Sequence, residues 1–270
     1  MKPHQSTRRI GLARALSKLG YCSRSRATEL IRAGRVSRNG KICRDPEAAV
    51  SGTQPQIALD GELIEAQKKI YLMMNKPRGV VTTASDEKGR ETVYAIMNQV
   101  SCPTQSALGK DQPWVAPIGR LDKASEGLLL LTNDSEWGAR IAAPETHLEK
   151  TYHVQIGIVA DDEFVQALVR GVNDVQKGEL LRATRARCLR AGEKNCWIEI
   201  VLDEGKNRQI RRMMKSMGVE VLRLLRVAVG PLQLGDLAKG QHRALTAGEK
   251  RTLDRALRSK TWGRNQGEPL

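Results

Sequence analysis

The sequence predicts an α+β protein in which a small basic helix-helix-hairpin domain precedes a larger domain with a mainly antiparallel mixed sheet. Three observations predict this class. Apolar residues recur with helical spacing near the N-terminus, alternating residues mark strands farther along, and those strands follow one another or a single helix. The length of 270 residues fits one or two domains, and the 40% of apolar residues can fill a core. The predicted domains span residues 8–64 and 70–248, joined by a polar linker at 65–69.

The small domain begins with two short helices. Four leucine and alanine residues at helical spacing predict a helix over residues 9–19. Ser23 or Ser25 can cap a second helix, which ends before Gly34. Asn39-Gly40 then predicts a hairpin with a type I′ turn, because both residues tolerate positive φ. Two helices and a hairpin are folded structure, which argues against a cleavable transit peptide at this Arg-rich N-terminus.

The larger domain mixes strands with short helices. In chain order the pattern predicts a strand at 71–75, a helix at 92–100, a strand at 152–158, a helix at 161–172 and a strand at 198–202. Residues 101–113 lack any periodicity and are rich in Ser, Gln, Pro and Gly, so we expect a surface loop there. Residues 249–270 are basic, and we expect a disordered tail.

The net charge of +15 lies at the two ends of the chain. Residues 1–44 carry +11, the last 28 residues carry +4, and the 198 residues between them are neutral. Charge concentrated in this way predicts a polyanionic partner, most simply nucleic acid. We expect the basic side chains around the second helix and the hairpin to bind RNA: Arg24, Arg26, Arg32, Arg35, Arg38 and Lys41.

Several classes of protein and site lack their sequence signals. No run approaches the roughly 18 consecutive apolar residues that a membrane helix needs. The 5 cysteines include no Cys-x-x-Cys pair, so we expect reduced thiols and no metal site. Without a glycine-rich phosphate loop, we expect no nucleotide cofactor. We expect a cytoplasmic monomer, with the histidines on the surface or in loops: His4, His147, His153 and His242.

The densest group of candidate catalytic residues is the stretch Gly119-Arg120-Leu121-Asp122-Lys123. The aspartate stays ionised, because neighbouring positive charge favours a carboxylate. We expect Arg120 to be buried beside it in a supporting role. A fixed carboxylate suits nucleophilic or general-base chemistry, although an Asp–Arg pair is also a common structural ion pair. From these residues alone, both interpretations stay open.

A second candidate segment is an amphipathic helix near residues 208–217. Its apolar face is formed by Ile210, Met213, Met214 and Met217. Arg211 falls at the border of that face, where a guanidinium can reach a cleft while its stem stays in the core. Opposite the apolar stripe, we expect a solvated basic face that includes Arg212 and Lys215.

Taken in order, five stretches resemble the motifs of the pseudouridine synthases, most closely the RsuA-like group that modifies ribosomal RNA. They are Asn75–Gly79, Gly89–Val93, Gly119–Asp134, Glu149–Tyr152 and Glu204–Met213. Near the N-terminus, a stretch of about 55 residues that runs through Gly61 resembles the alpha-L RNA-binding domain named after a small-subunit ribosomal protein. The resemblance spans roughly residues 8–248, and the ordered set is far more specific than any single motif. Glu91 and Ser125 depart from the family pattern.

The resemblance implies the roles of five residues. Asp122 is the catalytic aspartate, Tyr152 the aromatic residue against the target base, and Arg211 the ion-pair partner of Asp122. Lys76 and Pro77 lie against that tyrosine in the same family arrangement. From the sequence pattern alone, Tyr152 could equally be a core residue at the start of a strand.

The implied activity is the isomerisation of uridine to pseudouridine in RNA, which needs no cofactor or metal. The implied partner is ribosomal RNA or a ribosome assembly intermediate, with large-subunit RNA favoured over small-subunit RNA. A catalytically inactive, ribosome-associated RNA-binding protein is the alternative from another class. An RNA methyltransferase would need a glycine-rich cofactor loop after a strand, and this sequence has none.

Overall fold

The computed structural model describes residues 10–50, 56–83, 86–99 and 113–262. They form two compact units. The first consists of described residues up to 71 together with 113–116 and 131–136, and the second contains the remainder. Among the described residues, none of the helices has the length and apolar character of a membrane span.

Two helices and two small antiparallel sheets make up the N-terminal part of the first unit. Its elements are β1 Ile10–Gly11, α1 Leu12–Lys18, α2 Arg24–Arg32, β2 Val36–Arg38, β3 Lys41–Ile42, β4 Ala49–Val50, β5 Ile57–Leu59 and β6 Glu62–Leu63. Strand β1 pairs with β4, and the other sheet has the order β3-β2-β5-β6. Leu12, Leu16 and Ile31 are fully buried in its core.

Local signals in the sequence correctly predicted the start of α2 and the turn after β2. Ser23 caps α2, because its side chain accepts a hydrogen bond from Arg26 N at 3.1 Å. Asn39 and Gly40 have φ values of 49° and 78° between two paired strands, as the predicted type I′ turn requires. Helix α1 is shorter than the helix predicted over residues 9–19.

The remaining elements build the larger sheet and the helices around it. They are β7 Tyr71–Lys76, α3 Val93–Gln99, β8 Ala116–Pro117, β9 Glu126–Thr132, α4 Ser135–Ala142, β10 Lys150–Ile156, α5 Asp162–Arg170, β11 Val172–Asn173, β12 Leu180–Leu181, β13 Arg185–Ala191, β14 Cys196–Leu202, α6 Gln209–Ser216, β15 Val221–Val229, β16 Leu232–Gln233, β17 His242–Ala244 and α7 Ala247–Trp262. Nine strands form one sheet with the order β13-β14-β10-β15-β9-β7-β17, to which β16 and β8 attach. The β15–β9 pairing is parallel and the pairings of β10 are antiparallel, so the predicted mainly antiparallel mixed sheet is confirmed.

One face of this sheet packs against α5 and α6. Val154 and Ile198, from neighbouring strands, are fully buried in the same core as Leu168 of α5 and Met213 of α6. The alternation of apolar residues along β10 and β14 therefore reflects one covered face. This packing fixes α6 against the strand that carries Tyr152.

A β-bulge interrupts the β10–β15 pairing beside Tyr152. Thr151 is opposite Ala228, and Tyr152 is opposite Arg226, which leaves Val227 as an extra residue in β15. A bulge reverses the alternation locally and redirects a side chain. As a result Arg226, rather than Val227, is the strand neighbour of Tyr152.

The predicted disordered tail is wrong as far as α7 extends. Leu253 and Leu257 are buried one helical turn apart, and Trp137 Nε1 donates a hydrogen bond to Asp254 Oδ1 at 2.8 Å. These contacts hold the helix, although its two leucines form a narrow stripe among basic residues. Residues 263–270, and almost all of the predicted 101–113 loop, lie outside the described residues.

Candidate active site

A cavity of about 390 Å³ opens in the second unit. Its lining comes from the loop before β9, the start of β10, the segment leading into α6, and β15. Asp122, Tyr152, Arg208 and Arg226 are among the residues that line it. Of the predicted site residues, Asp122, Tyr152 and Arg120 thus reach one cavity.

The turn that carries Asp122 is held through its backbone. Ser125 N closes the turn with a hydrogen bond to Asp122 O at 2.9 Å, and Gly79 N donates to Lys123 O at 2.7 Å. Arg211 Nη2 donates to Ala124 O at 3.0 Å. Every carbonyl from residue 122 to 125 accepts at least one hydrogen bond, once the bonds of Lys76 are included. A catalytic group on such a turn is preorganised.

Lys76 is a buried cation beneath this turn. Its side chain is 0% exposed, and Nζ donates to Ser125 O at 2.9 Å, to Pro77 O at 3.1 Å and to Asp122 O at 3.2 Å. Burial lowers the pKa of Lys76 from 10.5 to about 8, while the negative charges of Asp122 and Glu126 oppose that shift. The hydrogen bonds of Lys76 therefore hold the aspartate turn, whereas the family resemblance had placed it against the tyrosine.

The cation paired with the Asp122 carboxylate is Arg208. Arg208 Nη1 lies 3.3 Å from Asp122 Oδ2, and both side chains line the cavity. Arg208 stands at the N-terminal end of α6 with a positive φ of 50°, which is uncommon for a residue other than glycine. The predicted direct ion pair between Asp122 and Arg211 is therefore corrected.

Arg211 lies behind the turn. Its Nη2 bonds to Ala124 O, and its Nε is buried without a hydrogen-bond partner. Burial lowers the pKa of Arg211, as do the nearby charges of Arg208 and Arg78, and the charge of Asp122 raises it. Arg211 thus interacts with Asp122 electrostatically and with the turn by a direct bond.

Arg120 does not take the buried place that the sequence predicted for it. It lines the cavity but is exposed, two residues before Asp122. Its side chain is therefore accessible to a ligand that enters the cavity. Tyr152 is half-buried in the cavity wall, with its backbone fixed between β14 and β15.

Two further expectations from the sequence are wrong. Arg212 is only 8% exposed, with Nε donating to Asp174 Oδ2 at 2.9 Å and Nη2 donating to Glu179. It therefore anchors α6 instead of joining a solvated face, whereas Lys215 is exposed as expected. His242 is buried on β17, and burial lowers its pKa.

Sequence reasoning also missed Arg226 and Arg208 as cavity residues. Arg226 was hidden in the apolar run of β15, and only the bulge brings it beside Tyr152. Arg208 could have been found from its place one residue before α6. A positive side chain is unfavourable at the N-terminal end of a helix dipole, so an arginine there indicates a function other than helix stabilisation.

The predicted RNA-binding side chains lie in the first unit and are mostly exposed. Arg26 Nη1 lies 2.8 Å from Glu29 Oε2, and two guanidinium nitrogens of Arg35 donate hydrogen bonds to the Asp60 carboxylate. Arg38 is half-buried and donates to Ala49 O. The exposed positions not drawn into these bonds are Arg24, Arg32 and Lys41. Among the described residues, no three His, Cys, Asp or Glu side chains cluster as a metal site would require.

Comparison with known proteins identifies the families that the N-terminal domain and the larger domain of the chain match. Residues 70–216 match the family model of RNA pseudouridylate synthases, and residues 10–54 match the S4 domain. Ribosomal large subunit pseudouridine synthase B of Bacillus subtilis is 35% identical over 248 residues, which cover 91% of this chain and 96% of that protein. The protein of the same name from Yersinia pestis is 33% identical over 229 residues, or 83% of this chain and 68% of that one.

Comparison with a solved structure supports the same family. The crystal structure of a pseudouridylate synthase superposes with a TM-score of 0.60 at 28% identity, covering 90% of this chain and 99% of that one. The family predicted from the five ordered motifs is confirmed. The chain belongs to the RNA pseudouridylate synthase family and carries an S4 domain near its N-terminus.

Proposed function

We propose that this protein converts one specific uridine of large-subunit ribosomal RNA to pseudouridine. The observation that carries the proposal is that Asp122 lines the same cavity as Tyr152, on a turn whose carbonyl oxygens all accept hydrogen bonds. The names of the Bacillus subtilis and Yersinia pestis relatives support the large ribosomal subunit as the source of the RNA.

The proposed chemistry begins with a uridine flipped out of folded RNA into the cavity. Unstacking costs about a few kcal/mol, which contacts to the flipped base and to the backbone offset. Tyr152 stacks on the uracil ring, and stacking of this kind contributes roughly 1–3 kcal/mol. Asp122 then acts on the sugar, as nucleophile at C1′ or as base at C2′, or on the uracil ring. Uracil turns in place and C5 bonds to C1′.

Asp122 has two different cationic neighbours in this proposal. Arg208 pairs with the carboxylate itself, and this ion pair orients it in the cavity. Arg211 and Lys76 position the aspartate through the backbone of its turn, Arg211 at Ala124 O and Lys76 at Asp122 O and Ser125 O. The role proposed for Arg211 is thus to orient Asp122. Arg120 sits at the cavity mouth and supports the flipped nucleotide.

The S4 domain is proposed to hold the RNA. Exposed Arg24, Arg32 and Lys41 offer their charges to phosphates, and Arg26, Arg35 and Arg38 line the same helix and hairpin. Binding of this type weakens steeply with salt, because phosphate contacts release counterions. We also propose that the chain acts as a monomer in the cytoplasm.

Mapping of pseudouridine in cells tests this function. In cells that lack the gene, one or a few sites of large-subunit RNA should lose pseudouridine. A plasmid encoding the wild-type protein or Asp236→Asn, a change at an exposed aspartate outside the cavity, should restore them. Asp122→Asn should not. An unchanged map contradicts the proposal, and a loss confined to small-subunit RNA contradicts the choice of substrate.

A further inference from the structure

Arg226 is a buried arginine in the cavity wall that the reaction described above does not use. The residue is 8% exposed and lines the cavity next to Tyr152. Its Nε donates to Leu128 O at 2.7 Å, which fixes the plane of the guanidinium. Within the residues that the structure describes, neither Nη group forms a hydrogen bond or an ion pair, and neither is sealed from the cavity.

Two backbone features place the side chain there. The bulge at Val227 makes Arg226 the partner of Tyr152 across the β10–β15 pairing. On the other side, Gly127 is its partner in β9, and a Cβ at Gly127 would lie only 2.3 Å from Arg226 O. Gly127 also has a φ of +100°, where L side chains are strained. The fold thus brings β9 unusually close to β15 at this residue.

A buried cation without a carboxylate partner needs a compensating ligand. Burying an unpaired charge is unfavourable. An arginine cannot avoid this cost by losing its proton, because its guanidinium stays charged near neutral pH. Arg120 and Arg208 also line the cavity, but both are exposed, and Arg208 already pairs with Asp122. Arg226 is buried and pairs with Tyr152, the residue on which the target base is proposed to stack. Its two free Nη groups are donors, and the acceptors of uracil are the carbonyl oxygens O2 and O4.

We propose that Arg226 binds a carbonyl oxygen of the target uracil and stabilises the negative charge that forms on the ring during the reaction. When the C1′–N1 bond breaks, its electron pair leaves with N1 and is delocalised onto O2 and O4. Asp122 either bonds to C1′ or takes the proton from C2′. As C5 bonds to C1′, the Asp122 carboxylate leaves C1′, or the proton that Asp122 took returns to C2′. The proton of C5 is then lost and N1 takes up a proton, so that the product is an isomer.

Because of the symmetry of the uracil ring, one fixed donor can bind the ring both before and after it rotates. The rotation that exchanges N1 with C5 also exchanges O2 with O4 about the same axis. A guanidinium anchored by Leu128 O can therefore hold one carbonyl oxygen before the rotation and the other after it. A donor aimed at developing charge typically accounts for about 100- to 1,000-fold in rate.

The test combines a substitution in the protein with one in the RNA, and it rests on the proposed function. An RNA fragment containing the mapped uridine is made with uridine, 2-thiouridine or 4-thiouridine at that position. Single-turnover rates are measured with saturating wild-type protein, Arg226→Gln, Arg226→Lys and the control Arg190→Gln. Arg190 is an exposed arginine of β13, over the ring of Trp197.

The inference predicts that R226Q reacts about 100- to 1,000-fold more slowly than wild type, with RNA affinity changed less than threefold. R226K should recover part of the rate, and R190Q should match wild type. Sulfur accepts hydrogen bonds more weakly than oxygen does. The thio-substituted RNAs should therefore react more slowly with the wild type, whereas the substitution should have little further effect on the rate of R226Q. Coupling of this kind distinguishes contact with the base from a structural role.

Two results overturn the inference. An R226Q rate within a few-fold of wild type does so, as does a sulfur effect that is equally large in wild type and variant. If R226Q does not fold, as judged by its melting temperature, the same comparison is made with R226K, which keeps the stem and charge. A wild-type protein that forms no pseudouridine refutes the proposed function itself, whereas an active wild type with an equally active R226Q refutes the role of Arg226 alone.

Discussion

Lys76→Met removes the cation beneath the turn that carries Asp122 and should change how stability depends on pH. The pKa of Lys76 falls from 10.5 to about 8 in the folded protein, because its ammonium is fully buried. Between these two pH values the unfolded chain binds one more proton than the folded chain. Stability of the wild type therefore rises with pH across this window, and the contribution disappears when Lys76 is replaced.

The magnitude follows from the size of the shift. Each pKa unit corresponds to about 1.4 kcal/mol, so lowering the pKa from 10.5 to about 8 amounts to roughly 3 kcal/mol. The difference in unfolding free energy between wild type and K76M should change by roughly this amount from pH 7.5 to pH 10.5, in favour of the wild type. Other groups titrate in both proteins and cancel in the difference.

Urea denaturation of both proteins at several pH values measures this difference. Lys215→Met provides the control, because Lys215 is exposed and its replacement should leave the pH dependence unchanged. A difference between wild type and K76M that stays constant to within about 1 kcal/mol would refute the argument. K76M should also react about 10- to 100-fold more slowly, since Asp122 O and Ser125 O lose charge-assisted hydrogen bonds.

Two further predictions concern α6 and the S4 domain. Arg212→Leu leaves Asp174, which is 2% exposed, without its cation, and should lower the unfolding free energy by about 3–5 kcal/mol in urea denaturation. Lys215→Leu should change it by about 0.5 kcal/mol or less, and an equal loss in both would contradict the role of the buried pair. Lys41→Ala should weaken RNA binding and reduce the slope of log affinity against log salt by about one, and an unchanged slope would mean that Lys41 contacts no phosphate.

Local structure was predictable because its causes are local. The Ser23 cap and the Asn39-Gly40 turn depend on neighbouring backbone groups and on tolerance of positive φ. The strands β10 and β14 were predictable because one face of each is covered, so that apolar and polar residues alternate. The ordered motifs were sufficient to find the family.

Partners distant in the sequence account for the errors. Periodicity placed Arg212 on the face opposite the core, but Asp174, 38 residues away, makes that face buried. The cation paired with Asp122 depends on the positive φ of Arg208, which no pattern predicted. Arg226 reaches the cavity through a bulge, and a bulge changes register without leaving a periodic signal.

Contacts between residues distant in the sequence also explain why α7 was not predicted. Only Leu253 and Leu257 distinguish it from a charged tail, and their burial depends on elements far along the chain. Composition correctly predicted that the ends are basic, but basic residues at a terminus can belong to a packed helix. Charge alone therefore did not determine which terminal residues fold.

Release of tritium from RNA labelled at C5 of uridine tests the central claim most directly, because C5 loses its hydrogen only when it bonds to the sugar. Purified wild-type protein and Asp236→Asn should release tritium from large-subunit ribosomal RNA at the same rate. Asp122→Asn should release none while it binds the RNA with unchanged affinity. Release by Asp122→Asn at the wild-type rate, or none by the wild type on this RNA, would contradict the claim that Asp122 isomerises a uridine of the large subunit.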